Sequence, residues 1–147
     1  MPRLDVPIGP DGPIIDVSLR IGAEHEEALV SRGLSVASPC SVPGLVDTGA
    51  RVTAINLALA RSLSLPVHDW QALRSSVLGE EDREAPIYVV RMTFGPIDSQ
   101  DRPRWRTIRA AGVTVVSPGA MVLIGQDLLA SCRFTYDGRK GRLMMSY

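Results

Sequence analysis

The feature that most constrains this chain is a lone carboxylate placed directly after an apolar run, in the sequence GLVDTGA at residues 44–50. The apolar residues before it are predicted to lie in a buried strand, so Asp47 leaves the core at a partly desolvated position. Burying an isolated carboxylate is unfavourable unless it is protonated, paired or hydrogen-bonded. Gly49 lets the backbone turn sharply and bring its amide close to that carboxylate, and the Thr48 hydroxyl can hold the loop against a neighbour. By itself the motif leaves a simpler alternative open, in which Asp47 is a turn residue whose side chain bonds its own backbone.

Most of the remaining pattern is typical of short β-strands. Apolar and polar residues alternate along residues 14–21, which predicts a strand there. Further strands are predicted at 34–37, 87–94, 107–116 and 121–124. Asp137-Gly138 predicts a tight turn that closes a hairpin near the end of the chain. With no internal repeat and no linker, residues 1–147 are expected to form a single β-rich domain.

The segments between these strands predict two short helices and several loops. The Ala- and Leu-rich segment 53–63 predicts one short helix, and 125–130 predicts a helical turn. Residues 24–27 are predicted to form a turn or loop, as is the Pro-, Asp- and Arg-rich segment 95–104. A charged stretch before the strand at 87–94 predicts the exposed tip of a hairpin.

The composition argues against several classes of function. With 45% hydrophobic residues among its 147, the chain can bury a core of its own. Its 16 basic and 16 acidic side chains balance to a formal charge of +0, which provides no basic surface for nucleic acid or for an anionic membrane. The N-terminal residues lack the apolar run of a signal peptide, and no stretch approaches the roughly 20 apolar residues of a membrane span. We therefore expect a cytoplasmic protein without nucleic-acid or membrane partners.

Cysteine and histidine are too few and too dispersed to predict a metal site. Cys40 and Cys132 lie far apart in the sequence, and only His25 and His68 could join them as ligands. No zinc-binding spacing can be written from these four residues, so neither a metal nor another cofactor is expected. Two buried free thiols are the preferred interpretation of the cysteines, and a disulfide between them remains open.

Two sequence blocks in a fixed order identify a family resemblance. The block at 44–50, continued by Thr53 and Ile55, resembles the apolar-apolar-Asp-Thr-Gly-Ala motif of the retropepsin-like aspartic proteases. That family includes the retroviral enzymes and cellular relatives such as the protease domain of the DNA-damage-inducible shuttle proteins. The sequence VLIGQDLL at 122–129 resembles the family's later apolar-apolar-Gly-x-Asp-x-Leu motif, and residues 132–143 resemble the closing hairpin of the cellular members. The resemblance covers roughly residues 14–147.

The resemblance implies a fold and a mechanism. The fold is all-β, a closed and mostly antiparallel acid-protease barrel with one or two short helices, in which the second block crosses beneath the catalytic loop. The enzymes of this type hydrolyse peptide bonds with two carboxylates that share one proton and hold a water between them. This chain has one such motif, so the second carboxylate must come from another copy, and Asp47 is expected to be catalytic at the two-fold axis of a homodimer. Thr48, Gly49 and Ala50 would support the loop, with Thr48 bonding across the axis.

Ala50 and one further segment distinguish this chain within the family pattern. Because Ala50 has no hydroxyl to stabilise the ionised pair, we expect a mildly acidic rather than strongly acidic working pH. The segment expected to cover the substrate includes Leu78, Gly79 and Glu80 and is charged where family members are usually Gly-rich. A plain solvated hairpin tip is an equal alternative for this segment.

The residue after Ala50 also departs from the retroviral pattern. Arg51 stands where the retroviral enzymes have an acidic residue, and an Arg51–Asp127 pair is expected to brace the catalytic loop together with Gly125. Asp127 as an ordinary helix N-cap is an open alternative. Two other readings of the whole chain also remain: a retropepsin-fold module that binds peptides without turnover, and an unrelated monomeric barrel with a fortuitous motif.

Overall fold

The computed structural model describes residues 1–73, 83–99, 101–114 and 116–147, and these form ten strands and three short α-helices. The strands are β1 (Arg3–Pro7), β2 (Ile14–Ile21), β3 (Cys40–Val46), β4 (Ala54–Asn56), β5 (Asp69–Leu73), β6 (Arg83–Phe94), β7 (Arg106–Val113), β8 (Val122–Ile124), β9 (Arg133–Asp137) and β10 (Arg142–Ser146). The helices are α1 (Ala23–Ser31), α2 (Leu57–Ser62) and α3 (Gln126–Leu129), with a 3₁₀ turn at Ile97–Ser99. Within these ranges no helix has the length and apolar character required to cross a bilayer.

Six strands close into a barrel. Their order is β2-β3-β8-β4-β7-β6, and β6 pairs again with β2 to complete the ring. The β3–β8 and β4–β7 pairs are parallel and the other four are antiparallel. Strand β5 extends the sheet outside the ring by pairing with β6. The predicted closed, mostly antiparallel barrel is confirmed, with three α-helices in the described ranges instead of the expected one or two.

The alternating pattern of β2 directs one side of the strand into the barrel. Ile15, Val17, Leu19 and Ile21 are at most 2% exposed and belong to the main hydrophobic core. Each such side chain contributes about 1.5–3 kcal/mol when buried, so this one strand supplies a large part of the core. Ser18 is also fully buried, and its hydroxyl is satisfied by donating to the carbonyl of Gly95 at 2.9 Å.

The two ends of the chain meet in a separate three-stranded sheet of order β1-β10-β9. The hairpin predicted around Asp137-Gly138 is confirmed as β9 and β10. Strand β1 was not predicted, because its five residues acquire a partner only when β10, at the other end of the chain, lies beside them. The C-terminal Tyr147 ties this sheet to the barrel, since its hydroxyl donates to the carbonyl of Phe94 at 3.0 Å.

The prediction of a turn or loop at residues 24–27 was wrong, because these residues lie in α1. This helix has no fully buried residue, so it lacks the apolar periodicity that would have indicated it. One partly buried side chain, Leu29, packs against the main core, and ion pairs supply the other contacts. The Glu26 carboxylate binds Arg20 at 2.6 Å and also pairs with Arg91, and the Arg20 guanidinium stacks on Trp105 at 5.4 Å.

Two other predicted elements differ from the observed secondary structure, one in its existence and one in its start. Residues 34–37 form no strand, and the returning strand starts only at Cys40. The helix predicted over 53–63 is confirmed only from Leu57, because Ala54 and Ile55 pair with both β7 and β8. Asn56 then caps the helix by accepting from the Ala58 amide at 2.8 Å. The predicted hairpin tip, with Leu78, Gly79 and Glu80, lies outside the described residues.

The ionic attachment of α1 predicts a specific pH dependence. The hydrogen bonds from Arg91 and Arg20 hold the pKa of Glu26 below its ordinary range. A lowered pKa means that this contribution to the free energy of unfolding is complete above the unfolded-state value and is lost as the pH falls through the folded-state value. Glu26→Gln should therefore lower the urea midpoint at about pH 7, and the gap to the wild type should narrow at about pH 3.

Glu27→Gln is the matched control for this measurement. Glu27 is an exposed carboxylate on the same helix and forms no ion pair with the described residues. Its replacement should leave the urea midpoint nearly unchanged at both pH values. A Glu26→Gln gap of equal size at both pH values would contradict the ionic attachment.

Candidate active site

Asp47 lies at the point where β3 leaves the barrel. Val46, the last residue of that strand, is 8% exposed, and Asp47 itself is half-buried. The Asp47 amide donates to the carbonyl of Ile124 at 3.0 Å, which continues the parallel ladder between β3 and β8. The Gly49 amide donates to Asp47 Oδ1 at 2.9 Å, as the motif led us to expect. The second oxygen, Oδ2, accepts no hydrogen bond from the described residues.

This local geometry fits both interpretations of the motif. A turn residue that bonds its own backbone and a catalytic carboxylate oriented by a loop amide share the Gly49 hydrogen bond. What distinguishes the present loop is how completely it is held from outside.

The second sequence block supplies those outside contacts. The Gln126 amide donates to the carbonyl of Ala50 at 2.8 Å, and the Asp127 amide donates to the carbonyl of Arg51 at 3.3 Å. The Gln126 side chain adds a third contact, because Nε2 donates to the carbonyl of Thr48 at 2.7 Å. The two blocks therefore lie side by side, with the loop backbone hydrogen-bonded to the start of α3.

A buried threonine completes this connection. Thr53 is 0% exposed, its Oγ1 donates to Asp127 Oδ1 at 2.7 Å, and its amide donates to Asp127 Oδ2 at 3.0 Å. The Gly125 amide donates back to Thr53 Oγ1 at 3.1 Å. Asp127 Oδ1 also accepts from the Leu128 amide at 2.8 Å. Both oxygens of Asp127 are thus held by neutral donors from the loop and the helix.

The expected Arg51–Asp127 ion pair is replaced by this arrangement. Arg51 is exposed, and its side chain forms no ion pair with Asp127; the two residues meet only through their backbones. The N-cap alternative differs too, since the residue that precedes α3 is Gly125 and Asp127 is the second residue of the helix. Asp127 does brace the loop, but through Thr53.

Gly125 is required for space and not for its backbone conformation. Its φ of −92° is accessible to any residue. A Cβ atom at this position, however, would lie 2.6 Å from both the carbonyl carbon and the oxygen of Val52. Because those atoms belong to the backbone, they cannot move aside without displacing the loop that carries Asp47.

A small apolar cluster lies near the loop, apart from the main core. It consists of Ala54, Ile87 and Ala111, with the partly buried Leu73, Val113 and Leu123 packed against them. Leu123 belongs to β8 and pairs with Leu45, two residues before the motif aspartate. This cluster forms an apolar wall where the barrel meets the base of the hairpin made by β5 and β6.

Two shallow depressions flank the loop. One, of about 290 Å³, is lined by Thr48, Gln126, Leu129, Ala130 and Phe134. The other, of about 390 Å³, is lined by Val52, Gln71, Thr107, Ile108, Arg109 and Asp127. The first is almost wholly apolar and lies against the tip of the Asp47 loop, at Thr48.

The cysteines do not add a nucleophile to the site. Cys40 and Cys132 are free, half-buried thiols, and burial raises the pKa of both. A raised pKa reduces the thiolate fraction that reacts, so neither is an activated nucleophile. The described residues also contain no group of three or more side chains arranged to hold a metal ion.

Sequence reasoning assigned no function to Gln126 and left Thr53 as a motif position only. For Thr53 a signal was present, since a hydroxyl within an apolar strand must find partners when it is buried. For Gln126 no comparable signal exists, because a glutamine in the first turn of a helix is ordinary and exposed.

Gly125→Ala tests the close approach of α3 to the loop. The added methyl group must displace the Val52 carbonyl, so we expect the free energy of unfolding to fall by about 1–3 kcal/mol, measured by urea denaturation. Gly9→Ala is the control, because no atom lies within 4 Å of a Cβ there. Equal stability of Gly125→Ala and the wild type would contradict the packing described.

Thr53→Val tests the hydrogen bonds that join the Thr53 hydroxyl to Asp127 and Gly125. The substitution keeps the shape of the side chain but leaves the Gly125 amide without its acceptor and Asp127 without one donor, at a cost of about 1–3 kcal/mol in thermal or urea unfolding. Thr107→Val, an exposed position on β7, should change stability by no more than about 0.5 kcal/mol. If the two variants were equally stable, the hydrogen bonds of the Thr53 hydroxyl would contribute nothing to the free energy of unfolding.

Comparison with known proteins agrees with this geometry. A crystal structure of a retropepsin-like aspartic protease from Rickettsia conorii matches over 99% of this chain and 91% of that one, with a TM-score of 0.59 at 15% identity. At that identity the match shows the fold alone. The retroviral protease-like domain of Ddi1 from Leishmania major matches 86% of this chain and 82% of its own at 14% identity, with a TM-score of 0.41. A search of curated protein sequences returned no significant match.

The family assignment comes from a sequence model. The model described as aspartyl protease matches residues 35–128, which is more than half of the chain. The matched segment contains the Asp47 loop and extends through Gly125 and Asp127, the residues that hold that loop from the second block. With both motifs inside the matched segment, the chain belongs to the aspartyl protease family, and its barrel has the retropepsin-like fold.

Proposed function

We propose that this protein is an aspartic endopeptidase that acts as a homodimer, with one Asp47 from each copy in the active site. The observation that carries the proposal is the state of the Asp47 carboxylate. It is half-buried, one oxygen is held by the Gly49 amide, and the other accepts nothing from the described residues. In a chain of the aspartyl protease family, a carboxylate oriented in this way is suited to bind a water and a second carboxylate.

The need for two copies follows from the chemistry. One ionised carboxylate takes a proton from the attacking water, while a protonated partner polarises the carbonyl of the peptide bond. Two carboxylates at that distance cannot both be charged, so they titrate as a unit. The chain has a single Asp-Thr-Gly motif, and a symmetric dimer would supply the second. Thr48, at the exposed tip of the loop, is the residue expected to bond across the axis.

The contacts that hold the loop support catalysis by preorganisation. Gln126 binds the carbonyls of Thr48 and Ala50, and Thr53 connects the loop to Asp127. Carboxylates that are held in position before the substrate binds need little reorganisation in the transition state. The same contacts leave Asp47 Oδ2 available to the water.

The apolar cluster near the loop supports a peptide substrate with apolar side chains near the cleaved bond. Leu73 and Leu123 are partly buried and bring this cluster to the surface between the barrel and the β5–β6 hairpin. An extended peptide could bury its own apolar side chains against them. Leu78, Gly79 and Glu80, as the cover over that peptide, remain a prediction.

Cleavage of a mixed peptide library between about pH 4 and pH 7 tests the proposal, with concentrated protein because a weak dimer would be inactive when dilute. Asp47→Asn should reduce the cleavage rate by at least about 100-fold, since it removes the general base. Asp16→Asn, an exposed aspartate on β2, should cleave like the wild type.

The outcomes separate the alternatives. If the wild type is dimeric and cuts no peptide, the protein is a peptide-binding module and not a protease. If Asp47→Asn cuts as fast as the wild type, the carboxylate is not catalytic. A pH–rate profile that peaks below roughly pH 3 would contradict the inference drawn from Ala50.

A further inference from the structure

The apolar cluster near the loop and the larger of the two depressions are built from the same three segments of the chain. In β5, Leu73 packs against the cluster and Gln71 lines the depression. In β7, Ala111 belongs to the cluster and Arg109 lines the depression. Each of these strands therefore contributes one residue to each place, and the two residues are two positions apart in the sequence.

The third segment leads into β4 and has the same spacing. Ala54 belongs to the cluster, and Val52, two residues earlier, lines the depression. Strands β4 and β7 run parallel, with Ala54 opposite Ala111. Strands β5 and β7 also run in one direction, since both pair antiparallel with β6. All three segments therefore place the depression on the same side of the cluster.

This spacing matches the repeat of an extended peptide. Residues two apart on a strand share a face and lie about 7 Å from each other. A peptide that runs along these segments repeats in the same way. When one of its side chains packs against the apolar cluster, the side chain two residues away is directed toward the depression. The two places are consequently neighbouring sites for a single peptide.

The depression differs from the cluster in its polarity. Its volume is about 390 Å³, and most of its lining side chains are polar: Gln71, Thr107, Arg109 and Asp127. Gln71 and Thr107 are exposed, and their side chains form no hydrogen bond with the described residues. The depression therefore offers several donors and acceptors to a polar group of a ligand.

Arg109 and Asp127 carry opposite charges, and each is oriented by another residue. The Arg109 guanidinium donates through Nη2 to Asp69 Oδ2 at 2.9 Å, and its other N–H groups have no partner among the described residues. Asp127 Oδ2 accepts from the Thr53 amide at 3.0 Å and from no other group in the described ranges. A carboxylate oxygen can accept a second hydrogen bond. One donor and one acceptor of opposite charge are thus available in the same depression.

This combination favours an uncharged side-chain amide. The amide oxygen can accept from the guanidinium of Arg109, and the amide NH₂ group can donate to Asp127. A carboxylate in the same place would be repelled by Asp127 and by Asp69, and an ammonium group would be repelled by Arg109. An aliphatic side chain would remove water from both charged groups without replacing its hydrogen bonds.

We propose that the depression is a specificity site for a glutamine or asparagine side chain, two residues away from an apolar residue of the same peptide. This inference rests on the proposed function and narrows its substrate class. Arg109 is the residue that selects the amide, and its contact with Asp69 orients the guanidinium. A site that hydrogen-bonds a substrate group discriminates against analogues without it, because the polar groups of the site are then left unpaired.

A peptide library with randomised positions tests the spacing. Among the peptides cut by the wild type, glutamine and asparagine should be enriched two residues away from an enriched apolar residue. In Arg109→Leu the amide enrichment should disappear while the apolar enrichment remains. Arg61→Leu is the matched control, since Arg61 is an exposed arginine of α2 that lines neither place, and it should keep both enrichments.

A pair of matched peptides separates selection from a structural effect. The peptides differ only in glutamine or leucine at the selected position, and the ratio of their kcat/KM values is measured. The ratio should be about tenfold in favour of glutamine for the wild type and near one for Arg109→Leu. A merely structural loss would lower both values and leave the ratio unchanged. Arg109→Glu should shift the preference to lysine, because the charged groups of the depression are then all acidic.

Failure of this inference differs from failure of the proposed function. A wild type that cuts the library without amide enrichment overturns the specificity site alone. A wild type that cuts nothing overturns the proposed function, and the site is then tested by selecting the same library for binding to Asp47→Asn. Bound peptides without amide enrichment would overturn the site there too, whereas enrichment would support it in a peptide-binding module.

Discussion

The close packing of Gly125 against the loop that carries Asp47 is the constraint on which the rest of the site depends. Thr53 and Asp127 are 74 positions apart in the sequence, and they meet only because β3, β4 and β8 are neighbours in the closed barrel. With a glycine at 125, the start of α3 reaches the loop backbone, and the amides of the helix then hold the carbonyls of the loop. The position of Asp47 is therefore a property of the whole barrel.

The loop that carries Asp47 is held in place within a single chain. The loop that carries Asp47 is hydrogen-bonded on its inner side, while its tip at Thr48 borders an apolar depression. In the proposed function, a second copy of the chain would supply the second carboxylate. Stability and activity would then both depend on protein concentration, because a higher concentration favours the dimer over the monomer.

The parts of the fold predicted from sequence are those whose signal is local. Strand β2 alternates with period two, β8 is a short apolar run, and Asp137-Gly138 marks a hairpin turn. The missed elements depend on distant partners. Helix α1 is held by the contact of Glu26 with Arg91, 65 positions away, and β4 is three residues long and exists through pairing with β7 and β8. Local propensity contains no information about such contacts.

By itself, the sequence determined the turn at Asp47 and the identity of the second block, because Gly49 and the apolar strands act on their near neighbours. Only the tertiary structure decided the partner of Asp127. Thr53 is buried, and its hydroxyl and amide must be satisfied inside the protein. Arg51 and Asp127 are both exposed, so an ion pair between them would add little to stability, whereas the buried hydroxyl of Thr53 requires a partner. The neutral donors of Thr53 therefore hold the carboxylate that the sequence had assigned to Arg51.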